Sequence, residues 1–298
     1  MIKLSEANVE LFAKLEFLNG VGSIKDRPAF WILKSAIERG EIDPDSTVIE
    51  SSSGNFACAL ATFCRILGLR FIPVIDPVTP PLYEQYLRSI CKEVVKVDSR
   101  DSSGGYLLTR LNVVRELTSQ ISNSYWPNQY QNPDGMKAHY IMTASEIQRG
   151  VRDLNYVFIG VSSAGTIAGV SRRLKECNPG IRIVAVDVEG SAIFGKPPKR
   201  RQLSGLGSSI SPPLIMEALV DEIVTVRELD SVAGCNELFR HHGLFVGASS
   251  GASYSAIKTY FHKRHSQHFP KVLFLCCDRG TAYLHNIYDP EWVAANLK

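Results

Sequence analysis

The stretch that decides how this chain reads is residues 13–28, AKLEFLNGVGSIKDRP. An apolar, strand-like piece from Val9 to Phe17 runs into Asn19-Gly20-Val21-Gly22, and Ser23 then stands where it can cap a helix. That places Lys25 inside the first helical turn. A helix start concentrates unpaired backbone N–H groups and positive potential, which suits an anion and disfavours a protonated ammonium. A lysine of depressed pKa is what imine chemistry needs. The plainer alternative is a solvated surface lysine. A phosphate-binding P-loop is not satisfied, because no glycine precedes Lys25 and Asp26 follows it.

Outward from this run, short apolar stretches alternate with helical periodicity. Helices are expected over 30–40, 57–67, 82–92, 107–119, 137–150, 167–177, 228–242 and 252–264. Strands are expected over 47–50, 69–75, 93–97, 124–130, 156–161, 181–186, 222–226 and 272–275. Strands alternating with helices of this length imply parallel sheets joined by crossover helices, an α/β chain. No repeat and no low-complexity segment interrupts the pattern.

The bulk numbers narrow the class. The chain has 298 residues, 45% of them hydrophobic and 21% charged, enough for one large or two moderate domains. A formal charge of +3 is too small to argue for nucleic acid as a partner. No window approaches the ~18 apolar residues of a membrane span, and no signal peptide is apparent. The seven cysteines are an odd count without C-x-x-C spacing, so a reduced, cytoplasmic protein without a zinc site is expected. Cys276-Cys277 ends an apolar run and is expected to lie buried at a strand end. His262, His265 and His268 stand among Lys and Gln and read as a solvated face rather than a metal site.

In parallel α/β folds ligands bind beyond the carboxyl ends of strands, where turns lead into helices. Three such turns here are built from small residues: Ser51-Ser52-Ser53-Gly54-Asn55, Ser162-Ser163-Ala164-Gly165-Thr166 and Gly247-Ala248-Ser249-Ser250-Gly251. Small side chains let backbone N–H groups approach an anion, and hydroxyls add donors. Any one of them alone could be a capped helix start and nothing more.

Together with the lysine run they resemble the β-family (fold type II) of pyridoxal-phosphate enzymes, which includes cysteine synthase, cystathionine β-synthase and serine or threonine dehydratases. The family's motif K-x-E-x-x-N-P-x-x-S-x-K-D-R is matched by Lys14, Glu16, Asn19, Ser23 and Lys25-Asp26-Arg27, with Gly20 in place of the proline. The resemblance covers nearly the whole chain. It implies two domains, each a mostly parallel twisted sheet flanked by helices. The smaller would span 14–130 and the larger, cofactor-binding one 131–298, joined by an N-terminal strand within 1–13.

The resemblance also implies roles. Lys25 would hold pyridoxal 5'-phosphate through an imine and serve as base for the substrate α-proton. Asn55 would meet the ring hydroxyl, and Ser52, Ser53 and Gly54 the substrate α-carboxylate, with Phe56 replacing a threonine common in cysteine synthases. Ser162, Ser163, Ala164, Gly165 and Thr166 are similar to the phosphate-binding G-T-G-G-T turn. Ser249 would face the pyridine nitrogen. A hydroxyl, unlike a carboxylate, does not hold that nitrogen protonated, and the weaker electron sink suits β-elimination over transamination.

Within the family, further segments are similar to the siderophore-type branch that joins O-phospho-L-serine to L-glutamate in 2,3-diaminopropionate biosynthesis. They include 12–16, 104–110, 125–130, 183–187, 193–195 and Asp278-Arg279-Gly280. A phosphate leaving group and a dicarboxylate nucleophile both call for cations or multiple donors. Arg110 is the first candidate, with Gln129 and Tyr130 lining the same pocket; Arg27 and Arg279 are weaker ones. The basic tract Lys196-Pro197-Pro198-Lys199-Arg200-Arg201 precedes Leu203-Ser204-Gly205-Leu206-Gly207, similar to the family's active-site loop, and reads as a mobile loop over the mouth. Met1-Ile2-Lys3-Leu4 is similar to the tail of a segment that precedes the first strand in relatives, so earlier residues of that segment are expected to be missing. Amino-acid substrates and a homodimer follow from the same likeness. An O-acetylserine or O-phosphoserine cysteine synthase, a β-elimination dehydratase and a catalytically silent ligand-binding relative remain open alternatives.

Overall fold

A computed structural model describes residues 1–6, 8–262 and 269–297. His265 and His268 lie outside the described residues. The strands, in chain order, are β1 (Ile2–Leu4), β2 (Glu10–Leu15), β3 (Thr47–Ser51), β4 (Arg70–Ile75), β5 (Val95–Lys96), β6 (Ser124–Tyr125), β7 (Tyr156–Gly160), β8 (Arg182–Val188), β9 (Glu222–Val226) and β10 (Lys271–Cys276). The helices are α1 (Asp26–Glu38), α2 (Asn55–Leu67), α3 (Pro81–Ile90), α4 (Leu107–Gln120), α5 (Pro133–Ala138), α6 (Ala144–Gly150), α7 (Gly165–Cys177), α8 (Glu228–His242), α9 (Ala248–His262) and α10 (Pro290–Asn296).

The strands form two sheets. The larger runs β1-β2-β10-β7-β8-β9 and is parallel except for β1; the smaller runs β5-β4-β3-β6 and is parallel throughout. β10 is buried from Val272 to Cys276, as a parallel strand covered on both faces must be, and it pairs Leu273 with Phe12 on one side and Val157 on the other. The sheets also show where the chain passes from one to the other. β2 carries Lys14 and Leu15 into the large sheet, and α1 then leaves it to pack on α2 beside the small one.

Helix α1 is amphipathic for a simple reason. Ala29, Ile32, Leu33 and Ala36 fall on one face and are fully buried or nearly so, packed on Phe56, Leu60 and Cys64 of α2. Burying one such aliphatic side chain contributes roughly 1.5–3 kcal/mol. α2 stops at Gly68, whose φ of +74° only glycine adopts at no cost, and Leu69 N then reaches back to Cys64 O at 2.8 Å. Among the described residues no helix is long and apolar enough to cross a membrane.

Four expectations shift. The helix expected over 30–40 begins at Asp26, so Lys25 is its N-cap rather than a first-turn residue, and Ser23 Oγ accepts from Lys25 N at 3.1 Å. The strand expected over 124–130 ends at Tyr125, because Pro127 and a positive φ at Asn128 turn the chain. The helix expected over 137–150 is broken by a π-helical turn at His139–Thr143. Residues 248–251 form the first turn of α9, so the small-residue run is mostly helix.

Candidate active site

The carboxyl ends of β2, β7 and β10 point at one place, where segments 16–25, 161–166 and 277–278 leave the large sheet. Lys25 is brought there by a buried ion cluster. Glu16, 1% exposed, takes both Nε and Nη2 of Arg27 at 2.6 and 3.0 Å, Lys14 Nζ at 2.9 Å and Asn19 Nδ2 at 2.8 Å. Arg27 also reaches Glu146 of α6 with two nitrogens, at 2.8 and 2.7 Å. Asp26 accepts from Val21 N and Gly22 N, which closes the loop before the lysine. Ile24 N donates to Cys277 O at 2.8 Å and ties the same loop to the end of β10. The motif residues around Lys25 are therefore its scaffold.

The Lys25 amine donates to Ser163 Oγ at 3.2 Å. Burial pushes its pKa down, while the acidic neighbours Cys277 and Asp278 act against part of that shift. A narrow cleft around the amine is lined by Phe56, Gln129, His139, Ser163, Gly165 and Thr166. Of the residues expected from sequence, Lys25, Gln129, Ser163, Gly165 and Thr166 thus meet in one place.

The turn between β7 and α7 is shaped as an anion cradle. Ala164 takes φ +66°, a conformation unusual for a residue with a Cβ, and Ser162 Oγ donates to Gly207 O at 3.1 Å. Among the described residues, no protein atom accepts from the backbone N–H groups of Ser163, Ala164, Gly165 and Thr166. Thr166 Oγ1 lies 3.2 Å from Nε2 of the buried His139, which burial keeps neutral. Gly169 allows α7 to pack against Met136 and Tyr140 backbone, where a Cβ has no room.

Asn55 opens α2. Its Nδ2 donates to Asp278 Oδ2 at 2.7 Å, and its Oδ1 accepts from Tyr83 OH at 2.6 Å. Ser52 Oγ accepts from Ala57 N in the first turn of α2 at 3.2 Å; Ser53 and Gly54 are half-buried beside it. Ser249 is buried in the first turn of α9, next to the Cys277 thiol, which burial pushes up to about 12 and keeps uncharged. A cavity of about 360 Å³ opens beside Ser23, Asn55, Tyr83 and Arg279.

Arg110 is not a free cation. It is 8% exposed and its Nε sits 3.2 Å from Asp76 Oδ2, at ion-pair distance without an aligned hydrogen bond. Gln129 is held by Glu50 and Ser51, through its backbone N at 3.3 Å and its side-chain nitrogen at 3.4 Å. Tyr130 is half-buried, with Arg110, Glu50, Asp76 and Arg201 as titratable neighbours.

Three residues at this site were not singled out by sequence. Asp278 is 3% exposed, joins Asn55 to Tyr283, and leaves its Oδ1 without a partner among the described residues. Glu50 is fully buried, and desolvation pushes its carboxyl up to about 8. His139 lines the cleft. The sequence signal for Glu50 is its position at the end of an apolar strand, and Asp278 enters there only as part of the segment Asp278-Arg279-Gly280, with no role attached.

A buried amine of lowered pKa beside a cradle of free N–H groups and hydroxyls fits an aldehyde that carries a phosphate, and pyridoxal phosphate is one. The comparisons agree. Residues 2–278 match the family described as pyridoxal-phosphate dependent enzyme. The N-(2-amino-2-carboxyethyl)-L-glutamate synthase of Cupriavidus metallidurans is 41% identical over 97% of this chain and 85% of its own. The protein of that name from Ralstonia nicotianae is 42% identical over 96% of this chain and 84% of its own. Among solved structures, an O-acetylserine dependent cystathionine beta-synthase from Helicobacter pylori superposes with a TM-score of 0.87 at 31% identity, over 97% of this chain and 92% of that one. The chain belongs to the pyridoxal-phosphate-dependent enzymes, and its two mostly parallel sheets are built on that family's fold.

Proposed function

We propose that this chain replaces the phosphate of O-phospho-L-serine with the amino group of L-glutamate, giving N-(2-amino-2-carboxyethyl)-L-glutamate and inorganic phosphate. The observation that carries the reading is the likeness, at 41–42% identity over almost the entire chain, to two synthases of that name. The site is compatible with it. When bound, pyridoxal phosphate supplies an electron sink for the substrate α-carbon, which makes the β leaving group labile.

Lys25 would hold the cofactor, the 162–166 turn its phosphate, Asn55 its ring hydroxyl and Ser249 its ring nitrogen. The lowered pKa of the Lys25 amine leaves more of it neutral, so its Nζ can accept the α-proton of the substrate. Ser52, Ser53 and Gly54 would receive the α-carboxylate. Gln129, Tyr130 and Arg110 would face the remainder of the substrate, with Asp76 fixing the Arg110 guanidinium in place. A cleft this narrow would leave little room for water beside the reacting carbon. We assign residues 14–130 to a smaller unit that closes on the carboxylate and 131–298 to a larger cofactor-binding unit, in a cytoplasmic homodimer.

The test is a phosphate-release assay on purified protein loaded with pyridoxal phosphate and supplied with O-phospho-L-serine. Release that depends on L-glutamate, with the coupled product found by mass, supports the proposal. Cysteine formation with sulfide and no glutamate product would overturn it in favour of a cysteine synthase.

A further inference from the structure

Arg201 and Arg279 both stand near the site without an ion pair among the described residues; Arg279 gives its Nε to Phe17 O and lies over the Phe17 ring, whereas Arg201 keeps an unclaimed Nε–Nη2 edge. Arg27 is matched by Glu16 and Glu146, and Arg110 by Asp76. Arg201 is half-buried and forms no ion pair among the described residues. Its Nη1 donates to two backbone carbonyls, Gly190 O at 2.9 Å and Ser208 O at 3.1 Å. Its Nε and Nη2 donate to no protein atom among the described residues. Those two nitrogens form the edge of a guanidinium that takes a carboxylate with two parallel hydrogen bonds.

The surroundings fix this edge rather than occupy it. Gln202 N and Leu203 N both donate to Glu228 Oε1, at 2.8 and 2.6 Å, and pin the chain just after Arg201. Asp187 and Glu228 are its acidic neighbours, near enough to feel its charge but not paired with it. The same loop reaches the cofactor cradle, since Gly207 N donates to Val161 O at 2.8 Å and Gly207 O accepts from Ser162. Tyr130 stands in the field of both Arg110 and Arg201. Arg201 does not line the narrow cleft around the Lys25 amine. Its position suits the far end of a second substrate better than the bond being broken.

We infer that the Nε–Nη2 edge of Arg201 binds the side-chain carboxylate of the amino-acid nucleophile, and so selects a dicarboxylic amino acid over its neutral analogues. This rests on the reading that an amino acid, not sulfide, is the nucleophile. The test compares L-glutamate with L-glutamine as nucleophile, using the loaded wild-type enzyme, Arg201→Gln and Arg201→Lys. In Arg201→Gln the KM for glutamate rises about tenfold or more and the preference for glutamate over glutamine falls by a similar factor, as expected for a lost charge-assisted pair. Arg201→Lys recovers part of the preference, because it restores the charge without the fork. An unchanged cofactor spectrum shows that the variants are folded. A preference within twofold of wild type, or a loss that falls on O-phospho-L-serine instead of glutamate, overturns the inference and leaves the proposed reaction standing. Wild-type enzyme that couples no amino acid at all overturns the reaction itself, and the assignment of Arg201 with it.

Discussion

Asp278 and Asn55 lie 223 residues apart in the chain and share a hydrogen bond of 2.7 Å. Asp278 follows the central strand of the large sheet, and Asn55 is the first residue of a helix that packs against the small one. Tyr83 closes the other end of the Asn55 amide, and Tyr283 OH donates to the same carboxylate oxygen at 2.8 Å. A carboxylate can accept only from the amide nitrogen, so Asp278 sets the orientation of Asn55 and leaves its Oδ1 to accept from Tyr83 OH. Gly247 packs against the other Asp278 oxygen, where a Cβ has no room.

The first prediction concerns this clamp. Asp278→Ala removes the acceptor for two donors in a buried site and is expected to destabilise the fold by about 1–3 kcal/mol. Tyr83→Phe removes one bond and is expected to cost about 0.5–1.5 kcal/mol. Because both act on the Asn55 amide, the double variant should lose less than the sum, as read by denaturant unfolding. Strict additivity would show that the two contacts are independent.

How far the sequence disclosed this arrangement can be followed residue by residue. The spacing of Ala29, Ile32, Leu33 and Ala36 announces α1, since burial of one face is a local pattern. That helix starts at Asp26, ahead of the run 30–40 that the periodicity marks, because Ser23 takes the Lys25 N–H and leaves Asp26 to begin the regular turns. The small-residue turns were visible because glycine, alanine and serine after an apolar strand have few other uses. Asp278 and Glu50 were not, because an acid at a strand end looks the same whether it meets water or a partner from the far side of the molecule. Arg110 drew attention as a cation, and only the folded chain shows Asp76 beside it.

Lys25→Ala is the second prediction. Wild-type protein mixed with pyridoxal phosphate is expected to absorb at about 410 nm, and the variant to lack that band, since the lysine supplies the nitrogen of the chromophore. Ser163→Ala removes the acceptor of the Lys25 amine and should weaken cofactor retention without abolishing the band. A band of full intensity in Lys25→Ala would place the attachment elsewhere.

The ion cluster under Lys25 gives the third. Desolvation alone raises the Glu146 carboxyl, but Arg27 and Lys14 outweigh it and hold it down at about 2 against an ordinary 4.5. A depressed folded-state pKa contributes stability that is present above pH 4.5 and lost as the pH falls toward 2. Glu146→Gln should flatten the acid limb of a stability–pH curve over that window, by a modest amount because Glu146 is 40% exposed and partly screened. Glu16→Gln should be far more damaging, about 3–5 kcal/mol, because it leaves buried Arg27 and Lys14 short of their shared partner. Equal effects from the two variants would contradict the central place of Glu16.

Glu50 reverses the sign. Its carboxyl is fully buried, and desolvation outweighs the donors that favour the charged form: Trp126 Nε1, Ser51 N and Gln129 N, with the charge of Arg110 adding a smaller share. Held up at about 8 against 4.5, it keeps its proton in the folded chain at a pH where the unfolded chain has lost it. Below pH 4.5 both states are protonated and the group is neutral in its effect. Between pH 4.5 and 8 the folded state binds the extra proton, so stability falls as the pH rises; above 8 the loss is complete and levels off. Glu50→Gln keeps the shape and removes the titration. The variant should gain on wild type steadily across that interval in thermal unfolding, and the gain should vanish at pH 4. A gap between the two proteins that stays constant from pH 4 to 8 would mean that Glu50 is ionised in the fold, paired with Arg110 in place of Asp76.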